Sequence, residues 1–142
     1  MANFTHGDAQ DLLDTFRRGW EERKPGLIVD LFTDDAEYRP LPYGEPLVGA
    51  NSIRAHWNEI VRAQVNVDFE PEHIWVSGSA LLASWHAAYT RRATAERVRA
   101  NGFMTMEVSE LDDAWRVWRF RQWPLERVVG HDSSFTAEGG AE

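Results

Sequence analysis

Around Gln64 the spacing of apolar residues changes from steps of three and four to strict alternation, and few folds accommodate that change within one short chain. From Asp8 to Arg23 the apolar positions Leu12, Leu13, Phe16 and Trp20 paint one face of a helix. Asp8 and Asp11 suit its positive N-terminal end, and Lys24-Pro25-Gly26 stops it. Pro25 can open a second short helix with Leu27, Ile28, Leu31 and Phe32 as its buried stripe, ended by Thr33-Asp34-Asp35. Ala36–Leu41 reads as a strand, followed by a proline-rich extended loop. A third helix follows Gly49, with Ile53, Trp57, Ile60 and Val61 on one face and His56 beside them.

Beyond Gln64 the period is two. Val65, Val67 and Phe69 alternate with polar residues, Pro71 is expected to interrupt the strand, and His73–Val76 resumes it. Leu81–Arg91 is a second long strand. Arg97–Ser109 alternates most clearly, with Val98, Ala100, Gly102, Met104, Met106 and Val108 on one face. Ala114–Trp123 is the last strand. Helices first and a long, half-apolar antiparallel or mixed sheet after them define an α+β domain, three helices covering a strongly curved sheet. Such a sheet forms a cone whose open end can hold a ligand. Residues 1–130 read as one domain and 131–142 as a disordered tail, small and polar.

Composition narrows the chemistry. With 142 residues and no cysteine, thiol nucleophiles, thiolate metal sites and disulfides are excluded. The histidines at 6, 56, 73, 86 and 131 show no metal-ligand spacing, and glycine-rich phosphate loops are absent, so neither metal nor cofactor is expected. A net charge of −8 makes nucleic acid a poor partner. The apolar runs are far too short for a membrane span, and MANFTHGDAQ lacks the layout of a secretory leader, so a soluble cytoplasmic protein is expected.

Particular stretches carry a resemblance. They are Leu31-Phe32-Thr33-Asp34-Asp35-Ala36-Glu37-Tyr38, then Pro42-Tyr43-Gly44-Glu45-Pro46, then Gly49 before a helix containing His56-Trp57, and late in the chain Phe120-Arg121-Gln122-Trp123. Over residues 8–127 the chain resembles the nuclear transport factor 2-like superfamily, with its cystatin-like fold, and within it the SnoaL-like group. The resemblance marks the fold better than the reaction. Ketosteroid isomerases of this superfamily use an aspartate base, a tyrosine and a protonated aspartic acid; the matching positions here are Pro40, Phe16 and Met104, all apolar. SnoaL-type cyclases place an aspartate on a late strand and limonene epoxide hydrolases use an Asp-Arg-Asp set, yet no carboxylate lies between Ala114 and Leu125. Related sequences carry glutamate where Gln122 stands, and an amide cannot act as acid or base.

The candidate pocket wall is Trp57, Trp85, Met104, Met106 and Trp118 or Phe120, with Tyr89 and Gln122 as further polar lining. His56 is the candidate proton carrier and Tyr38 its orienting phenol. A packing role for both stands beside that reading. Arg97, Arg99, Phe103, Trp115, Arg119, Arg121 and Trp123 would share the outer sheet face, a composition suited to a homodimer interface. Two functions follow: acid–base chemistry on a small, largely apolar metabolite (isomerase, dehydratase, cyclase or hydrolase), or a non-catalytic ligand-binding or dimeric assembly module.

Overall fold

The computed structural model describes residues 2–136. Its elements are α1 (His6–Glu21), α2 (Pro25–Val29), β1 (Phe32–Arg39), β2 (Leu47–Val48), α3 (Ala50–Ala63), β3 (Gln64–Ser77), β4 (Ala80–Arg91), β5 (Glu96–Leu111) and β6 (Ala114–His131). One six-stranded sheet runs in the order β2-β1-β6-β5-β4-β3. All neighbours are antiparallel except β1 and β6, so the sheet is mixed. The three helices pack on one face of it, as the change of periodicity predicts.

Thr5, rather than Asp8, begins α1. Its hydroxyl accepts from the Asp8 amide at 3.1 Å while the Asp8 carboxylate accepts from the Thr5 amide at 2.9 Å, a reciprocal cap. α2 ends at Val29, and β1 starts at Phe32, four residues before the sequence reading. Phe32 stands four residues after Ile28, so helical spacing alone cannot separate the two assignments. The pairing decides: Val117 N–H donates to the Leu31 carbonyl at 2.7 Å, and a register shift between Phe32 and Glu37 leaves Asp34 and Asp35 exposed. Pro71 does not break β3. It falls where the register with β4 shifts, on an edge strand whose outer amides need no partner.

β6 extends to His131, eight residues past the expected end, pairing with β5 back to Glu96. The expected tail therefore begins inside a strand. Asp132 follows it, its carboxylate held by Ser134, Thr90 and Asn66, and these donors keep its carboxyl well below the usual range. Residues 137–142 of that tail lie outside the described residues.

Pairing across β6, β5 and β4 sets the concave face in rows: Phe120–Met106–Leu81, Gln122–Met104–Ala83, Pro124–Gly102–Trp85 and Glu126–Ala100–Ala87. The first rows lie under the helices, and there the interior is filled. Phe16, wholly buried, meets Trp57, Phe69 and Phe120 edge-on with ring centres 5.4, 5.3 and 5.6 Å away. Met104 and Met106 are also fully buried, as their alternation predicts.

Candidate functional site

The concave rows place the candidate residues in two groups. Near β1 and α3, the rings of Tyr38 and His56 meet edge-on, 5.5 Å apart, so the expected pair is brought together. Tyr38 pairs with Phe120 in the parallel β1–β6 ladder and stacks on it at 4.8 Å, while His56 stands against Trp57 at 5.9 Å. Burial alone pushes the Tyr38 phenol well above its ordinary value, which keeps it a neutral hydrogen-bond donor. Burial also lowers His56, so its imidazole is neutral at neutral pH and able to accept a proton.

The second group was partly hidden from the sequence. Gln122 is buried in its expected row, and Tyr89 is 4% exposed on the same face. The Tyr89 hydroxyl crosses β5 and donates to Oε2 of Glu126 at 2.9 Å. Burial first and Glu126 second push its pKa up to about 12. Glu126 is the late-strand carboxylate that the sequence reading did not find, because that reading ended the strand at Trp123. Residues 120–128 mix polar and apolar side chains on both faces and contain Pro124, so no periodic signal marked the continuation.

The pocket wall needs one correction. Phe120 is buried and points inward, whereas Trp118 is 41% exposed on the outer face. The β5–β6 register shifts between Glu107 and Val108, which inserts Trp118 as an extra residue and reverses the parity of the strand around it. Trp115, expected on the outer face, falls before the shift and instead packs edge-on against Phe4 at 5.2 Å and on the core. Trp85 and Trp57 are inside as expected, each 3% exposed. Trp20 is inside too, and its indole N–H donates to Gln64 Oε1 at 2.8 Å. The indole N–H groups of Trp57 and Trp85 have no protein partner. Beside Tyr89 a recess of about 360 Å³ is lined by Glu59, Ala63, Gln64, Ala93, Arg62, Arg91 and Arg92.

Among the described residues, no three histidine, aspartate or glutamate side chains gather so as to hold a metal ion, and no helix is long and apolar enough to cross a membrane.

Residues 13–122 match the SnoaL-like domain family. The chain belongs to this family. Curated proteins return no match to this SnoaL-like domain. Solved structures share its fold at low identity. A candidate aromatic ring hydroxylase from Novosphingobium aromaticivorans is 18% identical, with a TM-score of 0.76 over 87% of this chain and 90% of that one. The epoxide hydrolase/cyclase-like enzyme SalBIII, studied for pyran ring formation in the polyether salinomycin, is 19% identical, with 0.72 over 84% and 95%. The hexachlorocyclohexane dehydrochlorinase LinA-type3 from Novosphingobium barchaimii is 14% identical, with 0.72 over 93% of each chain.

The neutral His56 has a measurable consequence. Its folded pKa lies below the unfolded value of about 6.5, so the unfolded chain binds the extra proton first as pH falls. The His56 contribution is therefore intact above that value and lost as pH drops through and below it. Melting temperatures between pH 7.5 and 5 should fall more steeply in the parent than in His56→Gln. Equal slopes would rule out a half-buried neutral imidazole.

Proposed function

We propose that this SnoaL-like domain binds a small, largely apolar metabolite at the open end of its cone, in the cytoplasm, and performs acid–base chemistry on it without a cofactor. The observation that carries this reading is the edge-on contact of a neutral imidazole and a fully buried, protonated phenol, His56 and Tyr38. His56 would take or deliver the proton, and Tyr38 would orient the imidazole or donate to a developing oxyanion. Trp57, Trp85, Met104, Met106 and Phe120 would shape the apolar end, with Tyr89 and Gln122 at the rim. Similar folds named as a cyclase-like enzyme and a dehydrochlorinase support a small-molecule reaction of the isomerase, dehydratase, cyclase or hydrolase kind.

A thermal-stabilisation screen of small oxygenated hydrocarbons tests the binding half, because a ligand bound only by the folded state raises the melting temperature. Hits are then assayed for turnover, and His56→Ala is expected to reduce any turnover by about 10²-fold or more. Unchanged turnover in that variant would remove His56 from the chemistry.

The outer sheet face favours a second use, a homodimer or assembly surface. Trp75 and Trp123 are 50% and 39% exposed, and Phe103 lies between them with ring centres 6.4 and 6.1 Å away. The Arg121 guanidinium lies 5.7 Å over Trp123 and Arg119 lies 5.2 Å over Trp118. Aromatics interleaved with arginine suit an isologous contact between two copies. Size-exclusion chromatography should give a dimer, and Trp123→Glu should move it to the monomer position. A parent monomer at every concentration would sink this surface.

A further inference from the structure

Where α3 ends, at the start of β3 and the end of β4, lies the recess of about 360 Å³ beside Tyr89. The acceptors around it are taken. A helix leaves its last four carbonyls without partners of its own, and here each is met. Gln64 N–H donates to Ile60, Arg23 Nε to Val61 at 3.0 Å, Arg92 Nε to Arg62 at 2.8 Å, and Arg92 N–H to Ala63 at 2.9 Å. The carboxylates are engaged as well: Glu59 pairs with Arg62, Glu96 pairs with Arg91, and Glu126 accepts from Tyr89.

The donors are not all taken. Gln64 is 9% exposed and lines the recess. An indole N–H can only donate, so the Gln64 atom that meets the Trp20 indole at 2.8 Å is the amide oxygen, and the amide NH2 is turned the other way. Among the described residues nothing accepts from that nitrogen, and unlike the indole nitrogens of Trp57 and Trp85 it is not sealed from solvent. Arg62 and Arg91 line the same recess from α3 and β4. A guanidinium has five N–H groups, and the carboxylate partner of each engages one nitrogen. Ala63 and Ala93 add apolar surface, and Tyr89, whose hydroxyl is committed to Glu126, offers its ring.

We propose that this recess binds a small organic carboxylate whose apolar body is about the size of one aromatic ring. The carboxylate accepts from the Gln64 amide and from the guanidiniums of Arg62 and Arg91, planar donors that match a planar acceptor. The apolar body rests against Ala63, Ala93 and the Tyr89 ring. An amine in place of the carboxylate would meet only donors and is selected against. Gln64 stands eight residues after His56, about 12 Å along the axis of α3. The inference therefore stands whether or not His56 moves a proton.

The probe is benzoate, titrated into ¹⁵N-labelled protein while the seven tryptophan indole signals are followed. An anion on the amide hydrogens polarises the Gln64 carbonyl and strengthens its bond from Trp20. The Trp20 signal, the one absent from Trp20→Phe and displaced in Gln64→Glu, should therefore shift and saturate. Gln64→Glu keeps an oxygen for Trp20 and removes both amide donors, so its affinity for benzoate should fall about tenfold or more. Arg62→Gln alters an exposed side chain and leaves the core untouched, and it should weaken binding about threefold. Benzamide, which has the same shape without the charge, should bind the parent about tenfold more weakly than benzoate. An unmoved Trp20 signal, equal affinity in either variant, or benzamide binding as tightly as benzoate overturns the proposal.

Discussion

Phe16→Ala is expected to destabilise the domain by about 3–5 kcal/mol, the usual cost of deleting a buried phenyl ring. Phe16 is completely buried on α1 and its ring touches the helical layer and both halves of the sheet: Trp20 and Trp57 on the helices, Phe69 on β3 and Phe120 on β6. Four aromatic neighbours held edge-on or tilted around one ring cannot collapse into the space it leaves without abandoning their contacts with one another. Domains of this size have only about 5–15 kcal/mol in total, so the variant should unfold at a much lower urea concentration. Phe16→Leu should lose less, since it keeps more of the buried volume. A Phe16→Ala loss below about 1.5 kcal/mol would mean that the aromatic cluster is less tightly packed than its ring geometry indicates.

Gly102→Ala adds a single methyl group and should cost about 1–3 kcal/mol. The new β-carbon would lie 2.4 Å from Cζ2 and 2.6 Å from Cε2 of Trp85, inside any permitted contact. The indole is rigid, and Phe69 stands 5.6 Å from it on the neighbouring strand, so relief requires either the whole ring or the β4–β5 backbone to move. Both urea unfolding and the near-UV circular dichroism of the tryptophans should change. A variant as stable as the parent with an unaltered near-UV spectrum would contradict the flat seat of Trp85 on Gly102. The substitution separates packing from the chemistry assigned to His56, which lies on α3 and does not touch Gly102.

Long, strongly periodic segments were legible in the sequence, and the residues that reverse their face were not. Strict alternation from Val98 to Val108 put Met104 and Met106 inside, and helical spacing put Phe16 and Trp57 in the core. Trp118 was assigned wrongly because a bulge changes which parity faces the core, and hydrophobic pattern does not reveal a bulge when both faces carry aromatics. The start of β1 was missed because Phe32 satisfies helical and strand spacing alike, and only its pairing with Val117 separates them. The same limit concealed Glu126. Its partner, Tyr89, is 37 residues away in the chain, and the contact exists only because β6 continues past Pro124. His56 and Tyr38 were nominated from position alone, and the structure brings their rings into contact.

The parallel pairing of β1 with β6 has a consequence for the order in which the chain organises itself. Strands β3 to β6 form a meander of local hairpins, each able to close as soon as its second strand exists. The one strand near β1 in the chain is the two-residue β2, and its link to the rest of the sheet is β6. Tyr38 waits for Phe120, and Leu31 for Val117, so the amino-terminal strand can dock only after most of the polypeptide has been made. Until then α1 and α2 have no completed sheet to cover, and their apolar stripes remain exposed. Amide exchange should register this as a division of the sheet into an early-protected meander and a late-protected β1–β2 edge.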